Sequence, residues 1–245
     1  MAIRAVIFDL DGTLVQTERL KAYSYTKAIR ELSAYTIEEA IVINAFKDVV
    51  GLSRREVAQG LLERFHLEEA ARSRMEEFGV ETPWQAFVQI RLQFYEQLLS
   101  DPQMILKNTW SHNILLLEEV KKAGCRIGLA TMSYCPQVNR VLEILNLKDY
   151  FDFIASRDDV EHGKPDPEIY QMVACELDVP AEECLVIEDS PTGVKAALAA
   201  GMKVIAVTTP FTKTAFSKNK LVDDRWIVND PERLPQIVKD LMREN

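Results

Sequence analysis

No stretch of this chain approaches the roughly 18 consecutive apolar residues that a membrane-spanning helix needs. The opening run, MAIRAVIFDLDG, is too short for the apolar centre of an export signal and ends in acids. Positive charge is scarce as well: 29 lysines and arginines against 38 acids leave a formal net charge of −9. A broad nucleic-acid surface needs the opposite balance, and any anionic ligand must be met by local cations, not by the overall field. The four cysteines, Cys125, Cys135, Cys175 and Cys184, include no C-x-x-C pair. Cys125, Cys175 and Cys184 lie in or beside apolar stretches and read as buried reduced thiols. Three histidines, His66, His112 and His162, are too scattered for a zinc site. Neither a G-x-S-x-G elbow nor a P-loop occurs, and there is no internal repeat or low-complexity tract. These absences predict a cytoplasmic protein that binds neither membrane nor nucleic acid.

What is present points to one α/β core with an insertion. Three short apolar runs each stop at polar residues: Ala5–Phe8 at Asp9, Ile127–Ala130 at Thr131, and Leu185–Ile187 at Glu188 and Asp189. Such runs followed by helical patterns read as parallel strands of a doubly wound sheet, with Lys203–Val207 as another. Ligands of such sheets bind beyond the carboxyl ends of the strands, so the three polar endings are expected to share one crevice. Ser190-Pro191 reads as an N-cap with proline at the first helical position, and Gly201 as the far end of that segment. Asp166-Pro167 repeats this start before Glu168–Leu177, and Ile114–Lys122 is helical with Gly124 as its stop. From about Thr17 to Leu99 strand-like runs vanish. Leu20–Leu32, Thr36–Val50, Arg54–Phe65, Glu68–Phe78 and Pro83–Leu99 carry helical periodicity, with Trp84, Phe87, Phe94 and Tyr95 read as its core. The expected domains are therefore a core of residues 1–16 and 100–245 and a helical insertion of residues 17–99. Residues 211–225 read as a polar loop.

The polar endings carry reactive chemistry. In FDLDGT, Asp9 and Asp11 stand one residue apart, and side chains two apart along a strand share a side. Crowded carboxylates are costly unless a cation or a shared proton relieves them. An ionised aspartate can act as a nucleophile, and a neighbour with a raised pKa as general acid and base. Gly12 allows a tight turn that Thr13 could anchor. Glu188 and Asp189 supply oxygen ligands of the kind magnesium prefers, with Asp9 and the carbonyl of Asp11 completing a set. Thr131 with nearby N–H groups could hold phosphoryl oxygens, and Lys164 could pair with the nucleophile. Taken singly, each has a plainer reading: acids capping a loop or favouring a helix dipole, a strand-ending threonine, a surface lysine.

In this order the segments resemble the motifs of the haloacid dehalogenase superfamily. FDLDGT (8–13), LATMS (129–133), GKPDPEIY (163–170) and VIEDSPTGVKAALAAG (186–201) match its four motifs in turn. The resemblance implies a Rossmann-like core, an inserted all-α cap acting as lid, Mg²⁺ and an aspartyl-phosphate intermediate. On it, Asp9 is the nucleophile and Asp11 the general acid/base, Thr131 and Lys164 bind the phosphoryl group, and Asp9, Asp11, Glu188 and Asp189 hold the metal. The second aspartate also argues against a dehalogenase.

The nearest branch is the beta-phosphoglucomutase-like group, which contains sugar-phosphate phosphatases and mutases. Gly51-Leu52-Ser53-Arg54 resembles its cap loop, where the arginine grips a distal phosphate; Arg91 falls where mutases carry a second cation. Ser53, Arg54, Arg91, Lys21 and Ser133 are thus the expected substrate-binding residues. Lys21 stands in place of a mutase histidine, Tyr134 follows Ser133 where mutases favour a lysine–asparagine pair, and Gln16 replaces a common aspartate. These departures favour a phosphatase of a small phosphorylated metabolite, a sugar phosphate first among them. A phosphomutase is the alternative, and a non-catalytic phosphate-binding protein a more distant one. A monomer is the oligomeric state that the resemblance implies.

Overall fold

The computed structural model describes residues 2–50, 52–218 and 220–243, apart from the side chain of Arg243. Six strands form one sheet: β1 (Ala5–Phe8), β2 (Arg126–Ala130), β3 (Phe153–Ala155), β4 (Cys184–Glu188), β5 (Lys203–Val207) and β6 (Ile227–Val228). Their order is β3-β2-β1-β4-β5-β6, and every pairing is parallel. The central strands β1 and β4 read AVIF and CLVIE and are buried along their whole length, as expected of strands covered by helices on both faces. Chain order reverses between β1 and β4, the position beyond whose strand ends sheets of this kind bind their ligands.

The strands expected at Ala5–Phe8 and Lys203–Val207 have those bounds, while the other two gain a residue or two at their ends. The short edge strands β3 and β6 carry too little pattern to be read from sequence. Ser190 is an N-cap, its hydroxyl accepting from the Gly193 N–H, and Pro191 opens the helix Pro191–Ala199. Two readings are corrected. Residues 211–225 are not all loop: Lys213–Lys218 is helical, started by Thr209 and Thr212, whose hydroxyls accept from each other's N–H, and held by the buried Phe216. Of the cysteines read as buried, only Cys184 is so; Cys125 is half-buried and Cys175 exposed. On the helix Glu168–Glu176 the buried stripe is Ile169, Tyr170, Val173 and Ala174, and the next position has already turned about 100° toward solvent.

The chain divides into two compact units, residues 1–16 with 105–245, and residues 17–104. The second is entirely helical among its described residues: Thr17–Leu32, Glu39–Val49, Arg54–Phe65, Glu68–Arg72, Met75–Phe78 and Pro83–Ser100, with the start of Pro102–Leu106. The segment expected as Glu68–Phe78 is thus two short helices, between which Arg74 pairs with Glu31 and Glu77. The core of this unit forms around Tyr25, Phe46 and Phe87, with ring centroids 5.4 and 5.6 Å from that of Tyr25. No described helix is long and apolar enough to cross a membrane.

Candidate active site

Asp9 leaves the end of β1 still tied to the sheet, its N–H donating to the Ile187 carbonyl at 3.0 Å. The chain then turns sharply, with the Gly12 N–H on the Val15 carbonyl and the Leu14 N–H on the Leu10 carbonyl. Gly12 has φ +87°, and a Cβ there would overlap Asp189 Oδ2. Glycine is therefore required both by the turn and by the close approach of Asp189. The turn is not anchored by the Thr13 hydroxyl as expected: that buried hydroxyl has no hydrogen-bond partner among the described residues, and the Thr13 carbonyl instead accepts from Asn113 Nδ2 at 2.6 Å. Asn113 sits on the helix Ser111–Lys122, a hundred residues away, and was invisible to motif reading.

Lys164 enters from the loop after β3, preceding a cis peptide bond to Pro165. Its ammonium donates to Asp9 Oδ1 (2.8 Å), the Ala130 carbonyl (3.0 Å) and Glu188 Oε1 (2.6 Å). Glu188 Oε1 also accepts from the Tyr170 hydroxyl at 3.0 Å, and Oε2 accepts from the N–H and hydroxyl of Ser190. A Cβ at position 193 would overlap Glu188 Oε1, so only glycine leaves that carboxylate its place. On the other side, Asp11 Oδ2 accepts from Ser133 Oγ at 2.5 Å and from Thr131 Oγ1 at 3.4 Å, while Thr131 Oγ1 accepts from the Ser133 N–H. The structure thus turns Ser133, expected at the substrate, onto the carboxylate of Asp11.

Burial dominates the electrostatics. Asp9, 5 % exposed, is pushed up to about 7 by burial, against the pull of Lys164 and with Glu188 and Asp11 adding to the rise. Burial opposes the charge on Lys164, but Asp9 and Glu188 hold its pKa well above the usual amine range. Burial and Glu188 likewise raise the Tyr170 phenol well above its ordinary value, so it stays a donor.

One oxygen each of Asp9, Glu188 and Asp189 lies within 4.8 Å of the others, all three residues buried. Three buried carboxylates facing one ammonium leave excess negative charge, and an all-oxygen set suits a hard divalent cation. The residues present therefore fit such an ion. The carboxylate of Asp11 stands outside this group.

The cap residues lie in the helical unit. Ser53 is the N-cap of Arg54–Phe65: its hydroxyl accepts from the Glu56 N–H and its own N–H donates to Glu56 Oε2. Gly51 lies outside the described residues. Arg91, 5 % exposed, packs its guanidinium 5.0 Å from the ring centroid of Tyr25 and 4.3 Å from that of Tyr95. Burial raises the Tyr25 phenol, while the charges of Arg91, Arg54 and Lys21 pull it down.

A profile of haloacid dehalogenase-like hydrolases matches residues 3–201. The chain belongs to that family. It is 29 % identical over 203 residues to a phosphorylated carbohydrates phosphatase of Thermotoga maritima, covering 83 % of this chain and 84 % of the relative. It is 30 % identical over 216 residues to protein CbbY of Cereibacter sphaeroides, covering 86 % of each. The crystal structure of a beta-phosphoglucomutase from Clostridium difficile superposes with a TM-score of 0.67 at 26 % identity, over 99 % of this chain and 98 % of the other. The haloacid dehalogenase-like assignment makes this chain a hydrolase, and its expected α/β class agrees with the six-stranded parallel sheet. Sequence reasoning missed Tyr170, Asn113 and Gly193 as parts of the site. Tyr170 lay inside the quoted GKPDPEIY segment, yet nothing local says that it meets Glu188.

Proposed function

We propose that the protein is a Mg²⁺-dependent phosphatase that hydrolyses a small phosphorylated metabolite, first of all a sugar phosphate, through a phosphoaspartate on Asp9. The observation that carries this reading is the ammonium of Lys164 between Asp9 and Glu188, with the second carboxylate, Asp11, held nearby on the hydroxyls of Ser133 and Thr131. Asp9 attacks phosphorus, and the Asp9–phosphorus bond forms as the bond to the leaving oxygen breaks. Asp11 gives that oxygen its proton. Asp11 then takes a proton from water, whose oxygen attacks phosphorus, releasing inorganic phosphate and restoring Asp9. Lys164 and the Thr131 hydroxyl hold the phosphoryl oxygens in place. Mg²⁺, held by Asp9, Asp189 and the Asp11 carbonyl with Glu188 directly or through water, would neutralise charge on those oxygens.

A sugar phosphate as substrate is supported by the named activity of the Thermotoga relative, and the helical unit is the part we expect to set which ester is accepted. With this goes a monomeric, cytoplasmic enzyme. A phosphomutase is the second reading, supported by the likeness to the Clostridium enzyme and by the cations around Tyr25. Lys21, standing where mutases carry histidine, weighs against it.

Phosphorus NMR with Mg²⁺, β-glucose 1-phosphate and a trace of glucose 1,6-bisphosphate separates the two: inorganic phosphate supports the phosphatase, glucose 6-phosphate the mutase. Asp9→Asn should abolish turnover with the fold retained. Normal turnover in that variant would remove the mechanism.

A further inference from the structure

Tyr170 has no part in the bond-making steps proposed above, yet among the described residues it is the largest side chain fully enclosed in the core. A phenol in an apolar layer is unfavourable unless its hydroxyl is bonded, and phenylalanine would fill the same space without that requirement. Here the hydroxyl donates to Glu188 Oε1, and the Lys164 ammonium lies 4.8 Å from the ring centroid. One side chain thus touches both members of the buried ion pair.

The hydrogen bonds around Glu188 show why that matters. A carboxylate can accept several hydrogen bonds at once, and the Lys164 ammonium, the Tyr170 hydroxyl, the Ser190 N–H and the Ser190 hydroxyl all donate to this one. Rotating the carboxylate would break several of these bonds together, so Glu188 is a fixed post. Lys164 has three protons and three acceptors: Glu188, the Ala130 carbonyl and Asp9 Oδ1. Of these, only Asp9 loses charge during the reaction, when its oxygen becomes esterified. The ammonium must then turn from Asp9 to a phosphoryl oxygen, and its direction is set by the acceptors that do not change.

We infer that Tyr170 is a positioning residue for phosphoryl transfer: its hydroxyl locks Glu188 and, through Glu188, aims the Lys164 ammonium at the phosphoryl group. This rests on the phosphatase reading. The role differs from simple packing, because the ring alone would fill the core and only the oxygen reaches Glu188.

Tyr170→Phe removes that oxygen and keeps the ring. With Mg²⁺ and p-nitrophenyl phosphate, kcat should fall about tenfold, the scale of one hydrogen bond to a charged group. KM should move less than about threefold, because aim counts most where charge grows in the transition state. A kcat within about twofold of the parent, or a raised KM with kcat retained, overturns the inference. Should the variant not fold, the unaltered protein supplies a second test, a crystal structure with Mg²⁺ and orthovanadate. Lys164 Nζ bridging Glu188 and a vanadate oxygen, with the Tyr170 hydroxyl still on Glu188, supports the role. Vanadate at Asp9 with the Tyr170–Glu188 bond broken overturns the role of Tyr170 alone. Vanadate absent from Asp9 overturns the phosphatase reading, and this inference with it.

Discussion

Nζ of Lys164 stands 2.6 Å from Oε1 of Glu188, with the two side chains 5 % and 1 % exposed. Taking one partner from a buried pair costs more than the pair contributes, because the remaining charge has no solvent. Lys164→Met should therefore lower stability by about 3–5 kcal/mol in EDTA, read by urea unfolding, and abolish turnover. Mg²⁺ should restore part of the lost stability by replacing the missing positive charge. An unchanged urea midpoint in EDTA would contradict this account of the site.

Asp9 sets a pH dependence whose sign follows from its raised pKa. Its carboxyl is pushed from an ordinary 3.8 up to about 7, so between those values the folded chain holds a proton that the unfolded chain has lost. Stability should then fall as pH rises from about 4 to about 7, by on the order of a few kcal/mol from this group. In EDTA, Asp9→Asn should flatten that decline. Because a cation competes with the proton, Mg²⁺ should raise the thermal midpoint more at pH 8 than at pH 5. A pH profile identical in parent and Asp9→Asn would show that burial does not govern this carboxylate.

Gly193→Ala tests the place of Glu188 from the opposite side. The new methyl would overlap Glu188 Oε1, forcing the carboxylate off Tyr170 and Lys164. Activity on p-nitrophenyl phosphate should fall by about a hundredfold, comparable to the loss of a charge-stabilising donor. Alanine itself suits a helix better than glycine, so circular dichroism should show the helix content kept. Parental activity would mean that Glu188 tolerates a second position.

Asn113→Ala removes the donor that the Thr13 carbonyl uses at 2.6 Å. Stability should drop by about 1–3 kcal/mol, the cost of a buried acceptor left without its partner. Since the turn holding Asp9 and Asp11 loosens, kcat should fall more than KM rises, measured by steady-state kinetics. A stability loss with kcat untouched would make Asn113 a fold residue only.

The strands β1, β2, β4 and β5 and the polar groups gathered at their ends were legible in the chain itself. Asp9, Asp11, Thr131, Lys164, Glu188 and Asp189 sit at strand ends or in a loop, and strand ends are marked by local patterns: an apolar run, then a polar stop, then a cap such as Ser190-Pro191. Helical periodicity also marked Arg54–Phe65, whose capping box at Ser53 and left-handed close at His66 (φ 54°) the structure adds. Local patterns failed where they were short or split, as at β3, β6 and the break at Ser73-Arg74.

Only the tertiary structure decided which groups face each other. Ser133 lies 122 residues from Asp11 and Asn113 a hundred from Thr13, so no periodicity links them. Arg91 reads in sequence as one more cation on a helix, yet packing buries it between two tyrosines. Tyr170 and Glu188 are eighteen residues apart, on a helix and on a strand, and meet only because the helix Glu168–Glu176 lies against the sheet. Sequence spacing determines the chemistry each residue can offer and the face it occupies. The partner of each buried polar group, and with it the pKa and direction of each reactive atom, is set by long-range packing.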